Sequence, residues 1–435
     1  MVNMDYNKYL NHIEKFLGQM YFKNNIGKVL EEINSKCDKK GFQKRVILKI
    51  LNRFYKLKRS IVQTEYGKFI NLFSDLVEIR RTGKYEPEKY NELIRIARTL
   101  DNKLLSTQKW LSLEYLSIAQ GFYQLGGVIR QKSIERAIHE AQNRPFFDSL
   151  YMGCLAAMED NRPIIAWEYL TRLEVFEKLK IFPRQIQFAR HYFKTIFENH
   201  RYMEEFNDPF NKINHQRFFD LINEKNIAVV GPAFNSTEDG VEIDQFDLVV
   251  RINYQTSGLK PERLIVGDRT DVAYFNVNNG RKLIQNEIND NFRKISFNVF
   301  KSQKQAHKLN QSIKTRFMLD IQSCWLQGFP NMIPLILFDL LRFKPKTIKI
   351  FKANFYLSKI PYFPEYQSRQ SLLTNHFNQF AGHAQHNIIS QIHFARLLYE
   401  NKLVDADSEC SRVLKMSDDE YLSSMENVFV KPHFL

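Results

Sequence analysis

Three polar clusters in the second half of the chain hold residue types that could do chemistry. The first is Gly382-His383-Ala384-Gln385-His386-Asn387, followed by Gln391. An imidazole takes and releases a proton near neutrality, since its unperturbed pKa is about 6.5, so His386 and His383 are candidate acid–base groups. The second cluster comprises Asn235, Arg251 and Asn253 beside Gly231. Amides offer both donors and an acceptor, which suits phosphate or ribose recognition. The third is Gly328-Phe329-Pro330-Asn331-Met332-Ile333-Pro334, a turn that opens a helix from about Asn331. A helix amino terminus offers free N–H groups and the positive end of its dipole to an anion. Plainer readings stand beside each of these. Among 11 histidines any single one is more often a surface or satisfied core residue than a base. Asn235 also reads as a turn residue and Asn253 as a strand terminator. Arg251 reads first as a structural ion pair, with Asp244 or Asp247, and second as a phosphate contact.

The elements that must position these residues follow from periodicity. The apolar run 227–230 stops at Gly231-Pro232, which predicts a buried strand that releases a loop at its carboxyl end. The run 246–252 (FDLVVRI) predicts a second strand that carries Arg251 and ends on Asn253. Further strands are predicted at 295–299, 317–321 and 348–351, with a Lys- and Gln-rich helix between the first two of these. A lead-in helix is predicted at 215–223, another at 391–401 with His386 just before it and aimed at the sheet edge, and one more from about residue 408. Strand and helix alternate, so the fold class is α/β, a Rossmann-like and mostly parallel sheet covered on both faces. Ligands of such sheets collect outside the carboxyl ends of the strands. The loop 231–240 contains neither GxGxxG nor GxxxxGK[ST], so neither a dinucleotide fingerprint nor a P-loop is present.

The first half reads differently. Residues 1–205 carry helical periodicity with few Gly and Pro, and the expected domains are an all-α, helical-repeat-like domain over 1–210 and an α/β domain over 211–435. Amphipathic blocks between 106 and 200 suggest a tetratricopeptide-like array, with Ala119, Ala156, Ala157 and Ala166 letting neighbours approach. Between Lys39 and Arg59 stand nine basic residues and no acid. That segment predicts a basic amphipathic helix, either packed within its own domain with its Lys stems snorkelling outward or docked on anionic lipid.

The 435 residues, 44% of them apolar, suffice for two or three domains with cores. A net charge of +15 favours an anionic partner or is a diffuse solvated charge. Cys37, Cys154, Cys324 and Cys410 are far apart and make no metal-binding spacing, which predicts reduced, buried thiols. The amino terminus MVNMDYNKYLNHIEKF has acids and amides where a signal sequence needs an apolar core, and no run of 18 apolar residues occurs. The expected location is cytoplasmic, with a peripheral station at the inner face of the cell membrane left open.

The stretch 225–276 resembles the large motif of the sialyltransferases. The matching residues are Val229-Val230-Gly231-Pro232-Ala233-Phe234-Asn235, Ile243-Asp244, Asp247, Val249, Arg251-Ile252-Asn253 and Gly267-Asp268-Arg269-Thr270. The segment from Gly328 resembles the small sialyl motif, with Asn331 at its serine and Ile333 at its glycine, and His386 with Gln391 resembles the H-x4-E motif with Gln in place of Glu. The resemblance spans residues 227–405 in family order. It implies an inverting transfer of an acidic sugar, sialic acid first, from a CMP-activated donor to a hydroxyl of a surface-glycan or glycolipid acceptor. Under it His386 is the general base, and His383 and His376 are candidates for the leaving phosphate. Gly231, Asn235, Arg251, Asn253 and Asn331 are the donor-binding candidates. No DxD motif precedes the ligand edge, so no metal or other cofactor is expected, in line with a donor whose single phosphate leaves without a cation. The family's inter-motif cysteines are replaced by Ile227 and, approximately, Lys344, which fits a reducing, bacterial compartment. The departures at Pro232, Ile333 and Gln391 leave room for CMP-Kdo as donor. A non-catalytic scaffold with a degenerate nucleotide-binding domain is the rival from another class. Nucleic acid is not an expected partner, because the aromatic residues fall at helical core spacing.

Overall fold

In the computed structural model of the chain, the described residues are 64–81, 84–199, 209–233, 235–253, 263–285, 293–309, 313–358 and 376–430. The basic segment 39–59 and Cys37 lie outside them. The chain forms two compact units that divide between Leu104 and Leu105. In the first, α1 (Glu65–Arg81) and α2 (Pro87–Thr99) pack on each other. Their buried faces carry Phe69, Phe73, Leu76 and Val77 on α1 and Leu93, Ile94 and Ala97 on α2.

The second unit opens with five helices, α3 (Thr107–Ala119), α4 (Tyr123–Asn143), α5 (Phe147–Glu159), α6 (Pro163–Lys178) and α7 (Pro183–Phe197). Each packs on the next. Pro163 and Pro183 stand in the first turns of α6 and α7, where a missing N–H costs nothing. Small residues set the spacing, and Ala119, Ala156, Ala157 and Ala166 are all buried. A Cβ at Gly153 on α5 would come within 2.4 Å of the Ala141 Cβ on α4.

After α8 (Pro209–Ile222) the chain alternates strand and helix, with α9 (Gly240–Gln245), α10 (Arg263–Val266), α11 (Val277–Gln285) and α12 (Gln303–Leu309) between the first five strands. The strands are β1 (Asn226–Val230), β2 (Leu248–Ile252), β3 (Val272–Phe275), β4 (Phe297–Phe300), β5 (Thr315–Phe317), β6 (Thr347–Phe351) and β7 (Asp405–Ala406). They form one sheet in the order β5-β4-β3-β2-β1-β6-β7, and every pairing is parallel. The protein is therefore α/β, with a helical amino-terminal region followed by a parallel sheet flanked by helices. The central strands β1 to β3 are apolar throughout apart from Asn226 and Arg251, as strands covered on both faces must be. The strand order reverses between β1 and β6, so their carboxyl ends, Val230 and Phe351, flank the topological switch point.

The strand expected at 317–321 is instead Thr315–Phe317. The chain leaves the sheet there, and the Asp320 carboxylate accepts from the Gln322 N–H at 3.0 Å to start a turn. β3 and β7 were not expected. The first is four residues long and the second two, too short for period alone to reveal. Among the described residues no helix is long and apolar enough to cross a membrane.

A buried polar cluster fixes β3 and β5 to α13 (Met332–Leu341). Asp339 on α13 accepts from Arg316 at 2.5 and 3.0 Å, from Arg342 at 3.4 Å and from the Tyr274 hydroxyl at 2.7 Å. The Arg316 guanidinium also lies 4.3 Å from the Phe218 ring centroid, which gives a fully buried cation a polarisable face.

Candidate functional site

His386 is the last residue of α14 (His376–His386) and is half-buried. Asn387 then adopts left-handed backbone, φ 45°, and caps α15 (Ile388–Glu400) by accepting from the Ser390 N–H at 3.1 Å. An Asn tolerates this conformation better than most residues. The joint ends α14 and opens α15, and His386 stands at the corner between them.

The loop from Gly328 to Asn331 lies directly on that corner. Gly328 has φ +90°, and a Cβ there would sit 2.6 Å from the Asn387 Cβ, so glycine is required both for the backbone and for the approach. The Phe329 N–H donates to the Gln385 carbonyl at 3.1 Å. The Phe329 carbonyl in turn accepts from His386 Nδ1 at 3.0 Å and from Gln391 Nε2 at 3.1 Å. Gln391 Nε2 also donates to the His386 carbonyl, and Gln391 Oε1 accepts from the Asn331 N–H at 3.0 Å. An amide satisfies this arrangement and a carboxylate does not, because Glu would set an oxygen against two carbonyl oxygens.

The tautomer of His386 follows. A carbonyl only accepts, so Nδ1 carries the proton and neutral His386 leaves Nε2 as an unprotonated acceptor. Burial lowers its pKa and so does the Lys301 cation, while the Phe329 carbonyl works the other way; the net shift is downward. His386 is therefore a neutral proton acceptor at pH 7. Asn331 caps α13 without a side-chain capping bond, and its Nδ2 is spent on the Tyr356 hydroxyl.

His383, one turn earlier on α14, is only 4% exposed. Its Nδ1 pairs with the Tyr123 hydroxyl at 2.7 Å, and the rings of Tyr123, Tyr356 and Phe429 surround it. Burial, with the nearby His386, lowers its pKa to about 3. That environment keeps the ring neutral and works against the expected pairing of a protonated His383 with a leaving phosphate. His376 opens the same helix.

Gly231 follows β1 at the switch point, where its N–H donates to the Phe351 carbonyl at 2.8 Å and a Cβ would meet the Lys352 carbonyl oxygen at 2.4 Å. Arg251 is turned into the protein. Its Nε donates to the Arg269 carbonyl at 2.8 Å and to the Thr270 hydroxyl at 3.1 Å, and its Nη2 to the carbonyls of Val266 and Gly267 at 2.6 and 3.2 Å. The two acids expected to pair with it are otherwise employed. Asp244 accepts from the N–H groups of Asp268 and Arg269, and Asp247 from the main chain and side chain of Asn226. Arg251 is thus a brace for the turn 266–270. Asn253 has φ 49° and terminates β2, and its side-chain oxygen accepts from the Asn276 N–H at 2.9 Å.

Asn235 leads to a residue that motif reasoning passed over. Its Oδ1 accepts from the Lys352 ammonium, which also donates to the Thr237 carbonyl at 2.6 Å and to Asp239 Oδ2 at 2.6 Å. The Lys352 side chain is fully buried, and its main-chain N–H donates to Asp407 at 2.8 Å. One lysine therefore pins the whole loop after β1 to the end of β6. In sequence it is only the second of two lysines in the run IKIFK, the one that closes it. Lys352→Met is expected to cost about 1.5–3 kcal/mol in chemical denaturation, the worth of hydrogen bonds to a charged group, and to speed amide exchange in 231–240. Unchanged exchange there would show that the loop is held by other means.

Behind the His386 corner lies a buried ionic network. Arg130 on α4 pairs with Glu114 on α3 at 3.1 Å and with Glu159 on α5, and donates to the Ser390 hydroxyl at 2.6 Å. Glu114 accepts from Asn387 Nδ2 at 2.7 Å. His393 on α15 bridges Glu159 at 3.2 Å and Asp418 at 2.8 Å. Burial opposes the His393 cation, but the hydrogen bonds its ring donates to Asp418 and Glu159 raise its pKa to about 9. A raised folded-state value contributes stability that is full below the unfolded pKa of about 6.5 and lost as pH rises through the folded value. The melting difference between the wild type and His393→Gln should therefore be greatest below pH 6.5 and vanish above pH 9. A difference that persists above pH 9 would show that packing, not charge, is responsible.

Cys154, Cys324 and Cys410 are free and buried, and burial pushes each thiol up. Among the described residues no group of three or more His, Cys, Asp or Glu side chains is placed to hold a metal ion.

No protein-family model matches the chain, and no curated protein matches it in sequence. Among solved structures, the crystal structure of a mammalian sialyltransferase is similar at a TM-score of 0.30 and 13% identity, over 50% of this chain and 94% of that one. An overlap of that degree identifies neither a fold nor an activity.

Proposed function

We propose that the protein is an inverting glycosyltransferase that moves an acidic sugar, sialic acid first, from a CMP-activated donor to a hydroxyl of a glycan or glycolipid acceptor. The observation that carries this reading is the 3.0 Å contact from His386 Nδ1 to the Phe329 carbonyl, which leaves Nε2 of a neutral ring as the proton acceptor. The sialyl-motif residues around it add support, since the loop at Asn331, the corner at His386 and the side chain of Gln391 form one hydrogen-bonded unit.

The step runs as a direct displacement. The acceptor hydroxyl gives its proton to His386 Nε2 as its oxygen forms a bond to the anomeric carbon. The bond from that carbon to the phosphate oxygen breaks, and CMP departs with the electron pair. The protein orients two substrates and removes one proton. The chemistry needs no metal at a monophosphate leaving group. CMP-Kdo would pass through the same step. An acceptor carried by a lipid suits a basic chain that works at the inner face of a cell membrane.

Thermal unfolding against CMP, CDP, UMP, UDP and GDP tests the donor class. A nucleotide at one hundred times its Kd adds about 2.7 kcal/mol of apparent stability. CMP should stabilise selectively. Stabilisation by UDP or GDP instead would reassign the donor, and no response to any nucleotide would favour a scaffold.

A further inference from the structure

Apolar side chains stand in water at one end of the helical layer. Phe146 is 72% exposed, Leu179 64%, Val175 59% and Phe182 54%. Phe146 immediately precedes α5, Val175 is in the last turn of α6, and Leu179 and Phe182 belong to the turn between α6 and α7. The two turns are adjacent, because the Phe147 ring stacks on Phe182 with centroids 4.7 Å apart and meets Phe176 at 5.8 Å. Ile181 between Leu179 and Phe182 is exposed as well.

Charge is arranged around this surface with one sign dominant. The turn reads Lys178-Leu179-Lys180-Ile181-Phe182-Pro183-Arg184, in which basic and apolar residues interleave without an acid, and Arg144 stands two residues before Phe146. Lys178, Lys180, Arg184 and Arg144 are all exposed. Of the nearby acids, Glu174 and Glu177 face Arg190 at 3.5 and 2.9 Å, and Asp148 is exposed beside the patch. The backbone adds a second signal. Lys180 and Phe182 have φ of 59° and 48°. A left-handed Phe is an outlier for so bulky a residue, and strain of this kind persists where the fold over-determines it. Here it turns an aromatic side chain outward from the tip of a turn.

We infer that this end of the helical layer is a docking surface for an anionic bilayer, with Phe146, Leu179, Ile181 and Phe182 entering the headgroup–acyl boundary and the four basic residues meeting anionic headgroups. A short apolar tip inside a cationic collar matches that interface in both polarity and charge. The inference is independent of the transferase reading and of the basic segment 39–59.

Flotation of the full-length protein with vesicles tests it. Wild type should float with phosphatidylcholine vesicles containing phosphatidylglycerol and remain behind with phosphatidylcholine alone. Leu179→Asp/Phe182→Gly, in which glycine accepts the left-handed backbone, should reduce binding to the anionic vesicles by about tenfold or more, the loss of two buried apolar side chains. Lys178→Glu/Lys180→Glu alters only exposed positions and should do the same most strongly at low salt. Both variants should melt close to wild type. In addition, Phe182→Trp should gain a blue-shifted emission on addition of anionic vesicles. Full binding by folded variants would place any lipid contact elsewhere and overturn the inference. So would equal binding to neutral vesicles. Absence of vesicle binding together with a concentration-dependent dimer lost in Leu179→Asp would make the patch a protein interface instead.

Discussion

His386→Ala is expected to lower turnover by about 10²–10⁴-fold, the usual worth of a positioned general base, while leaving the fold and CMP binding in place. The fold should survive because the Phe329 carbonyl keeps its second donor, Gln391 Nε2, at 3.1 Å, and because His386 is only half-buried. CMP binding should survive because, in the proposed mechanism, His386 acts on the acceptor hydroxyl. The pH profile separates a base from a merely structural ring. Burial holds the His386 pKa below its ordinary value, so activity should rise with pH through an acid limb centred below about 6.5 and stay level through neutrality. Loss of that limb in the residual activity of His386→Ala would assign it to this ring. A variant with full turnover would remove His386 from the chemistry, and one that fails to melt cooperatively would be replaced by His386→Gln, whose amide can still donate to the same carbonyl.

How far this arrangement could be read in advance depended on chain distance. β1, β2 and β6 are short, mainly apolar runs followed by Gly231, Asn253 and Lys352, and each announces a strand by composition alone. β3 and β7 are too brief to do so. The corner at His386 was legible in part, as a histidine just before an amphipathic helix and an Asn at the start of another. What joined them was not, since the acceptor is the Phe329 main chain, and a backbone carbonyl has no signature in sequence. The same limit applied to Arg251. Its type and its emergence from a buried strand suggested a carboxylate or phosphate partner, whereas four main-chain and hydroxyl oxygens of the turn 266–270 receive its donors. Asp244 and Asp247, the acids expected to pair with it, instead accept from the N–H groups of Asp268 and Arg269 and from the main chain and side chain of Asn226. The ionic network was wholly hidden, because Arg130 reaches Ser390 across 260 positions and Asn387 reaches Glu114 across 273.

That network carries the second large effect. Arg130→Met should destabilise the protein by about 3–5 kcal/mol at neutral pH, because it strands charge without removing it. Both its partners are carboxylates inside the protein, and Glu114 is 0% exposed. Burial already raises the Glu114 pKa even with Arg130 in place, whereas Glu159, although burial pushes it up, is held at about 2 by Arg130 and His393. Without the guanidinium both acids must take up protons or lose solvation uncompensated. The deficit should therefore shrink as pH falls toward 4.5, where the variant's carboxylates protonate while Glu159 of the wild type stays ionised down to about 2. Chemical denaturation of both proteins across pH 4.5 to 8 measures this, and a deficit independent of pH would assign the loss to packing of the long side chain. Replacing the charges together, as Arg130→Met/Glu114→Leu/Glu159→Gln, should recover much of the loss, since an apolar substitute for a buried ion group is often neutral. It should not recover activity equally. Glu114 also holds the Asn387 amide at 2.7 Å, and Asn387 shapes the left-handed joint that sets His386 against Phe329. The triple variant should thus melt near the wild type and turn over more slowly, a divergence that a purely structural network would not produce.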